Sequence, residues 1–186
     1  MAVATSVSDF LAQFQYGGLR PNRYQVILTF PADVTAAMGS GTSVAQKISF
    51  TCKAASIPAS TLGQVVVPYM GRQVKIAGDK TFDDWNVSII LDNDLVGRHV
   101  FERWHDQILS FDGNVATENF VNPSNYFAQA TVQLLDRADQ PLDLYTVEAL
   151  WPVSVGDISL GYDQNDTVSE QQVSFAVNGW NNSVTT

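Results

Sequence analysis

A period of two in the apolar residues constrains the fold of this sequence more than any other feature. Apolar side chains recur at every second position in residues 23–30, 46–53, 72–76, 84–91, 129–135, 142–150 and 172–178. Successive side chains of a strand point to opposite faces, so this pattern is typical of strands with one buried face. The sequence therefore predicts a mainly β fold, a β-sandwich or barrel-like body of antiparallel strands.

The alternation also predicts which face of each strand is buried. In residues 46–53, Ile48, Phe50 and Cys52 are expected inside, and the residues between them outside. The other residues expected inside are Tyr24, Val26, Leu28, Phe30, Val74, Ile76, Trp85, Val87, Ile89, Leu91, Ala130, Val132, Leu134, Val173, Phe175 and Val177. The stretch DRADQP at 136–141 has the composition of a turn and is expected to join two strands in a hairpin.

One segment changes to a helical period. Between Asp94 and Ser110, apolar or small residues recur at positions 97, 101, 104 and 108, which predicts one packed α-helix with Asn93 or Asp94 as its N-cap. A short helix near residues 8–15 is a further possibility. Residues 31–45 and 112–126 are predicted to be long loops. Nothing marks a linker, so the chain is expected to be a single domain over residues 1–186, with residues 1–20 as an N-terminal segment.

Residues 54–71 are unusual because they contain no charged side chain. Pro58 and Pro68 argue against a central strand, and a long apolar loop left in water would promote aggregation. The segment must either fold under its own core or lie against a neighbouring molecule. Charged residues make up only 16% of the chain, below the usual quarter or so, which favours the second interpretation: an arm between subunits. An ordinary secreted-type β domain is the alternative that composition leaves open.

The net charge of −9 argues against a sequence-specific nucleic-acid-binding protein, because such proteins need a basic surface to bind the phosphate backbone. No run of about eighteen apolar residues predicts a membrane-spanning helix. The N-terminus lacks the basic and apolar regions of a Sec-type signal. Cys52 is the only cysteine, and no group of Cys and His has zinc spacing.

Several stretches resemble chemical sites but fail on spacing. Residues 71–81 lack the spacing and following helix of a phosphate-binding loop, and the acidic stretches 92–94 and 163–166 lack the glycine and ligand positions of a calcium loop. His99, Glu102 and His105 spread around a helix instead of converging on one ion. Asp83 and Asp84 are adjacent on a strand and point apart. We predict no enzymatic activity, no cofactor and no metal.

The stretch from Cys52 to Asp94 contains, in this order, a Cys-Lys-Ala entry, a Pro-containing loop, an Arg-turn-Ala-Gly-Asp element and the sequence Thr-Phe-Asp-Asp-Trp at 81–85. In these features it closely resembles the tail tube proteins of contractile-tailed, T-even-like bacteriophages. The sequences RPN at 20–22, LWP at 150–152 and VGD at 155–157 also match, as does a long final strand toward Trp180. The similarity runs over most of residues 20–180, while the stretches 31–45 and 112–126 look longer than in T-even relatives.

The resemblance implies a structural virion protein. Six copies would form a ring, rings would stack into the inner tail tube, and strands of neighbouring subunits would join into one large β-barrel around a channel for phage DNA. Implied partners are the tail sheath, baseplate and tail terminator proteins, with DNA passing without tight binding. The implied location is the virion tail, after synthesis in the host cytoplasm. The inner tube of a type VI-like secretion or tailocin particle is an alternative, and a carbohydrate-binding β-sandwich is one from a different class.

In this interpretation, residues of the arm and the adjoining motif form subunit interfaces, and strand faces that are polar and largely neutral line the channel. The predicted interface residues are Ile57, Pro58, Leu62, Val66, Pro68, Tyr69, Met70, Arg72, Asp79, Phe82, Asp83 and Asp84. The predicted channel-facing residues are Lys47, Ser49, Thr51, Gln129, Thr131, Gln133, Gln172 and Ser174.

Overall fold

The computed structural model describes residues 7–14, 17–37 and 41–183. The helices are α1 (Val7–Gln13), α2 (Ala32–Ala37), α3 (Gly41–Thr51) and α4 (Val96–Ile108), with two short 3₁₀ turns at Glu118–Val121 and Pro123–Asn125. The strands are β1 (Tyr24–Thr29), β2 (Cys52–Ala55), β3 (Ser60–Tyr69), β4 (Arg72–Phe82), β5 (Trp85–Ile90), β6 (Ala128–Leu135), β7 (Pro141–Val155), β8 (Glu170–Ala176) and β9 (Gly179–Asn182). The prediction of a mainly β fold is confirmed.

Seven of the strands form one antiparallel sheet in the order β1-β6-β7-β8-β5-β2, with β9 also paired to β7. Strand β7 is 15 residues long and connects two halves of this sheet. Its first part pairs with β6 and β9, and its last part pairs with β8, the change occurring next to Ala149, whose φ is 50°. Within the described residues, β1 and β2 do not pair with each other, so the subunit contains no closed barrel.

Both halves of the sheet bury their inner faces in one core. The predicted inward residues Val26 and Leu28 of β1 and those of β5 and β8 are buried there, as are Ala130 and Val132 of β6. Tyr24 of β1 and Leu134 of β6 are only half-buried. Helix α4 contributes Phe101 and Trp104, which are fully buried. The Trp104 ring lies 5.5 Å from that of Phe30, and the Phe101 ring lies 5.8 Å from that of Phe175, centroid to centroid. The helix therefore links the two halves through aromatic contacts.

The prediction of a helix between Asp94 and Ser110 is confirmed, but its predicted N-cap is wrong. The N-cap is Leu95, with a left-handed φ of 50° and no side-chain cap. A turn precedes the helix, in which the Asp92 carbonyl accepts a hydrogen bond from the Leu95 N–H at 2.9 Å. The Asp94 carboxylate is instead held by Lys47 at 3.1 Å. The cap position is thus occupied by a turn residue because the nearby carboxylate pairs elsewhere.

Residues 46–53 do not form the predicted strand. Helix α3 covers residues up to Thr51, and only then does the short strand β2 begin. Val44 and Ile48, four residues apart, are buried, whereas Phe50 is 84% exposed. The apolar residues of this segment fit both the period of two of a strand and the 3.6-residue period of a helix. The helix forms because α3 packs against β1 and α4.

The predicted loop at 31–45 is also wrong, since α2 and the start of α3 lie within it. The described residues therefore contain three helices in addition to the single packed helix expected. One of them, α1, matches the short helix suggested near 8–15, and its side chains Phe10, Leu11 and Phe14 are about half exposed or more. None of the helices in the described ranges has the length and apolar character needed to cross a membrane.

Candidate assembly surface

Strands β3 and β4 form a hairpin that is separate from the main sheet. They pair antiparallel from Ser60 with Phe82 to Tyr69 with Arg72, and neither joins the seven-stranded sheet. A two-residue turn closes the hairpin, with Met70 at φ 46° and Gly71 at φ 76°, the left-handed conformations that tight hairpin turns require. We call residues 60–82 the arm. The predicted arm at 54–71 contains its first strand, and β4 is the returning strand.

The arm is amphipathic, although no other element of the described residues covers it. The cross-strand pairs Val65 with Ile76 and Val67 with Val74 share one face with the pair Tyr69 and Arg72. The four aliphatic side chains on this face are 41–53% exposed. We call it the apolar face of the arm. An apolar surface of this kind on a β-hairpin indicates a contact with another molecule.

Pro68 fits this strand because of its place in the register. The pair Tyr69 and Arg72 closes the turn, so the next pair, Pro68 with Gln73, occupies a position without mutual N–H to O=C bonds. The nitrogen of Pro68 therefore lies on the free edge of β3, where no donor is needed. The expectation that prolines exclude this segment from a central strand agrees with the geometry.

The base of the arm is fixed to the body by two tryptophans. The Trp85 indole N–H donates to the Ser56 carbonyl at 2.7 Å, and that of Trp180 donates to the Ala59 carbonyl at 3.3 Å. The Lys80 ammonium lies 5.0 Å from the ring of Phe82 and 5.2 Å from that of Trp180. These contacts hold the segment just before β3 and the last residues of β4, leaving the distal hairpin projecting.

A β-bulge separates the fixed base from the distal hairpin. The register shifts between Leu62 and Gln64, where Gly63 lies opposite Gly78 and Asp79. A Cβ on Gly78 would lie 3.1 Å from the carbonyl carbon of Gly63, and a Cβ on Gly63 would lie 3.2 Å from the Asp79 oxygen. The two backbones therefore approach more closely than side chains at either position allow.

The charge of the arm differs in sign from that of the body. The arm has three basic side chains, Arg72, Lys75 and Lys80, and one acidic side chain, Asp79, for a net charge of +2. Because the whole chain carries −9, all other residues together carry −11. The arm is thus a basic, partly apolar projection on a strongly acidic subunit.

The predicted interface residues fall in three places. Leu62, Val66, Pro68, Tyr69, Met70, Arg72, Asp79 and Phe82 lie in the arm, Ile57 and Pro58 precede it, and Asp83 and Asp84 follow it. Of these, Pro58 is buried and Phe82 half-buried, so both belong to the base.

Two details of that prediction are corrected. Asp83 and Asp84 are exposed in the link to β5 and not on a strand. Val74 and Ile76, expected inside the core, lie instead on the apolar face of the arm with Val65 and Val67. The alternation in 72–76 was visible in sequence, but an alternating pattern does not say what covers its apolar face.

The predicted channel-facing residues on strands form two patches. Gln129, Thr131 and Gln133 lie on the outward face of β6, where they pair with Thr29, Ile27 and Gln25 of β1. Gln172 and Ser174 lie on the outward face of β8, where the Ser174 hydroxyl is 2.8 Å from the Asn86 side-chain oxygen on β5. Each patch is free of charge at these positions, and they belong to different halves of the sheet.

The other three predicted channel-facing residues, Lys47, Ser49 and Thr51, lie on helix α3 and not on a strand. The Lys47 ammonium is 2.8 Å from the Asp92 carboxylate and 3.1 Å from that of Asp94. The hydrogen bond from Lys47 lowers the pKa of Asp92 and raises that of Lys47. Lys47 therefore pairs with both carboxylates of the acidic stretch 92–94 and offsets one of their two negative charges.

The remaining candidates for chemical sites are the histidines, Cys52 and residues 71–81. Across the described ranges, no three His, Cys, Asp or Glu residues come together as metal ligands would. His105 Nε2 lies 2.9 Å from the Pro152 carbonyl, while His99 is exposed. Burial raises the pKa of the Cys52 thiol to about 11, so it is protonated at neutral pH. Residues 71–81, rejected as a phosphate loop, are the returning strand of the arm.

The family model "Phage tail tube protein" matches residues 19–183. The tail tube protein gp19 of Enterobacteria phage T4 is 30% identical over 94% of this chain and 98% of its own length.

Among solved structures, a chain of the anti-feeding prophage baseplate is similar with a TM-score of 0.62 at 12% identity, covering 89% of this chain and 95% of that one. A chain of the sheath/tube terminator of an extracellular contractile injection system, PVC, gives a TM-score of 0.61 at 12% identity, covering 89% and 96%. At this identity the two structures support the fold alone. The family match over nearly the whole sequence shows that this chain belongs to the phage tail tube protein family.

Proposed function

We propose that copies of this chain assemble into the inner tube of a contractile phage tail. The observation that carries the proposal is the apolar face of the arm, which is uncovered in the subunit although the rest of the chain has a well-packed core. Membership of a family of structural tail proteins supplies the context. In this role the chain acts by assembly, without catalysis and without a cofactor, as the sequence predicted.

The proposed tube consists of stacked hexameric rings. The main sheet ends in β1 and β2, whose outer edges pair with no other strand of the described chain. Ile27 on β1 is 41% exposed and Phe50 beside it is 84% exposed. Unpaired edges flanked by apolar side chains promote association, and closing a ring of subunits removes them. This supports lateral joining of neighbouring sheets into a continuous barrel.

The channel of such a tube has to let DNA slide. The two outward patches, around Thr131 and around Ser174, present mainly amides and hydroxyls. Since the subunit is acidic overall, a wall built from it attracts phosphates little, so DNA passes without tight binding. We propose these patches as candidates for the channel wall, together with the polar residues Lys47, Ser49 and Thr51 of α3.

A cysteine-accessibility experiment distinguishes the two patches. Thr131→Cys and Ser174→Cys, each in a Cys52→Ser background, are assembled and treated with a small maleimide and with a polymer-linked maleimide too large to enter the tube. A cysteine facing the channel reacts with the small reagent and resists the large one. Equal reaction of both positions with the large reagent would contradict a channel location for either.

The proposed partners are the tail sheath, baseplate and tail terminator proteins, and the proposed location is the virion tail after synthesis in the host cytoplasm. Chains of similar fold occur in a baseplate and in a sheath/tube terminator complex, which supports these partners. The interface residues predicted from sequence are retained in this proposal, with the apolar face of the arm added to them.

The inner tube of a secretion or tailocin particle is the second candidate. The solved structures of similar fold include an extracellular contractile injection system. We favour the phage tube because the 30% identity to a phage protein covers nearly the full length of both chains. The carbohydrate-binding alternative loses its support because Trp85 and Trp104 are buried and Trp151 and Trp180 are half-buried.

The test of the proposed function is electron microscopy of the purified protein in negative stain. Rings or hollow tubes are expected for the wild-type chain. A variant in which residues 64–77 are replaced by an Asn-Gly turn keeps the anchored base and is expected to stay folded but to form no tubes. If this shortened-arm variant forms tubes, the arm is not needed for assembly. If the wild-type chain remains monomeric at high concentration, the proposed function is contradicted.

A further inference from the structure

The arm and an acidic loop lie at opposite ends of the same strand. At the start of β5, the Trp85 indole holds Ser56 at the base of the arm. Just beyond the end of β5, the Leu91 N–H donates to the Ser169 carbonyl at 2.9 Å, in the connection between β7 and β8. We call this connection, residues 156–169, the end loop. The six residues of β5 thus separate the two features by about 20 Å.

The end loop has the chemistry that complements the arm. It contains Asp157, Asp163 and Asp166 and no basic residue. Leu160 is 87% exposed and Tyr162 is completely exposed. In the part of the chain that the structure describes, none of these three carboxylates forms an ion pair. The loop therefore offers acidic groups and large apolar side chains together.

The tip of the arm presents the matching groups. Arg72 and Lys75 are exposed and form no ion pair within the described residues. Tyr69 and Met70 at the turn are 65% and 87% exposed. The hairpin beyond the glycine bulge has about six residues in each strand, so it projects about 20 Å from the anchored base.

We propose that the arm tip of one copy docks on the end loop of the next copy. Arg72 and Lys75 then face Asp163 and Asp166, and the apolar side chains of the tip pack against Leu160 and Tyr162. This inference rests on the proposed function, because it names the partner surface of the arm in the stacked tube.

The charge distribution decides between two modes of association. Two arms, each with a net charge of +2, repel each other, whereas an arm and the acidic body attract. A contact between two different surfaces is heterologous, and it repeats from copy to copy along a stack when the rotation between copies does not close a ring. The same contact therefore gives every subunit of the stack one direction and lets the tube grow by adding further copies.

Charge reversal on each surface tests the contact. We expect Arg72→Glu with Lys75→Glu, and separately Asp163→Lys with Asp166→Lys, to raise the critical concentration for tube assembly by at least about tenfold. All four side chains are exposed, so far-UV circular dichroism and Tm should stay close to wild type. A double variant Arg20→Glu with Arg137→Glu, outside both surfaces, makes the same change in net charge as the arm variant and should assemble normally.

Mixing the two reversed proteins is the decisive measurement. Each is expected to fail alone, since like charges then meet, but in the mixture every arm finds a loop of opposite sign, so alternating tubes should form. Sedimentation and negative-stain microscopy measure this rescue. Normal assembly of either reversed protein alone, or the absence of rescue on mixing, would overturn the inference while wild-type tubes leave the proposed function intact. Failure of the wild-type chain to assemble would overturn both.

Discussion

The arm and the body of this subunit are built from the same kind of strand and differ in what covers them. In the body, Val87 and Val173 pair across β5 and β8 and are at most 4% exposed. In the arm, Val67 and Val74 pair in the same antiparallel manner and are 41% and 49% exposed. The body strands have a helix and a second half-sheet above them, while the arm has none. An alternating pattern therefore identifies an apolar face without telling whether the covering layer belongs to the same chain.

The largest loss of stability is expected when an aromatic side chain is removed from the core, where the two halves of the main sheet meet. Trp104→Ala is expected to lower the free energy of unfolding by about 3–5 kcal/mol, because a fully buried ring is replaced by a cavity. Urea denaturation of the monomer measures the change. The matched replacement Phe111→Ala, at a side chain that is 94% exposed, should change stability by less than about 0.5 kcal/mol. Similar losses at both positions would refute the assigned core.

The arm should respond in the opposite way. Val67→Ser with Val74→Ser is expected to leave monomer stability within about 1 kcal/mol of wild type, yet to raise the critical concentration for assembly at least about tenfold, since the lost burial lies between subunits. Light scattering against concentration measures assembly. Gln64→Ser with Gln73→Ser, on the other face of the same hairpin, is the control. If the two pairs behave alike, the apolar face has no special part in assembly.

The glycine bulge marks the boundary between the two regions. Gly78→Ala is expected to destabilise the arm by about 1–2 kcal/mol, because the added Cβ meets the backbone of Gly63 at 3.1 Å. Amide hydrogen exchange should speed up in residues 60–82 and remain unchanged in β5 and β8. Gly18→Ala is the control, since its Cβ would meet no atom within 4 Å. Faster exchange throughout the body would show that arm and body unfold together.

The smallest effect concerns the ion pair between α3 and the start of α4. Because the Asp92 pKa is lowered in the folded state, its pairing with Lys47 stabilises the protein above the ordinary carboxyl pKa of about 4 and is lost as the pH falls. Lys47→Met should therefore lower Tm by no more than a few degrees at pH 7 and have no effect near pH 2. Lys75→Met in the arm, at a side chain that pairs with no acidic group of the described residues, should leave Tm unchanged at both pH values. If the Tm of Lys47→Met stays below that of the wild type near pH 2, Lys47 stabilises the protein through packing and not through the ion pair.

Much of the body could be predicted because the apolar residues of most elements there follow either the strand period or the helical period, and not both. The alternating residues of β1, β5 and β8 were assigned to the correct face, and Phe101 and Trp104 to the correct helix. Residues 41–51 were mistaken for loop and strand because Ile48, Phe50 and Cys52 also alternate. Only the packing of Val44 and Ile48 against neighbouring elements selects the helix.

The candidate assembly surface was predictable in part. The lack of charge in 54–71 and its prolines indicated an arm, but Val74 and Ile76 were expected in the core. Their exposure follows from a returning strand that pairs with β3 alone. No local pattern distinguishes a strand paired inside a large sheet from one paired in a projecting hairpin, because both satisfy the same backbone hydrogen bonds.

The sequence by itself determined the β class, the buried faces of the central strands, the main helix and the acidic charge of the chain, since these depend on local periodicity and composition. The tertiary structure alone decided that the valines of the arm are uncovered, that Lys47 pairs with the acidic turn at 92–94, and that arm and end loop lie at opposite ends of β5. These are relations between residues far apart in the chain, and they are fixed by which surfaces pack together.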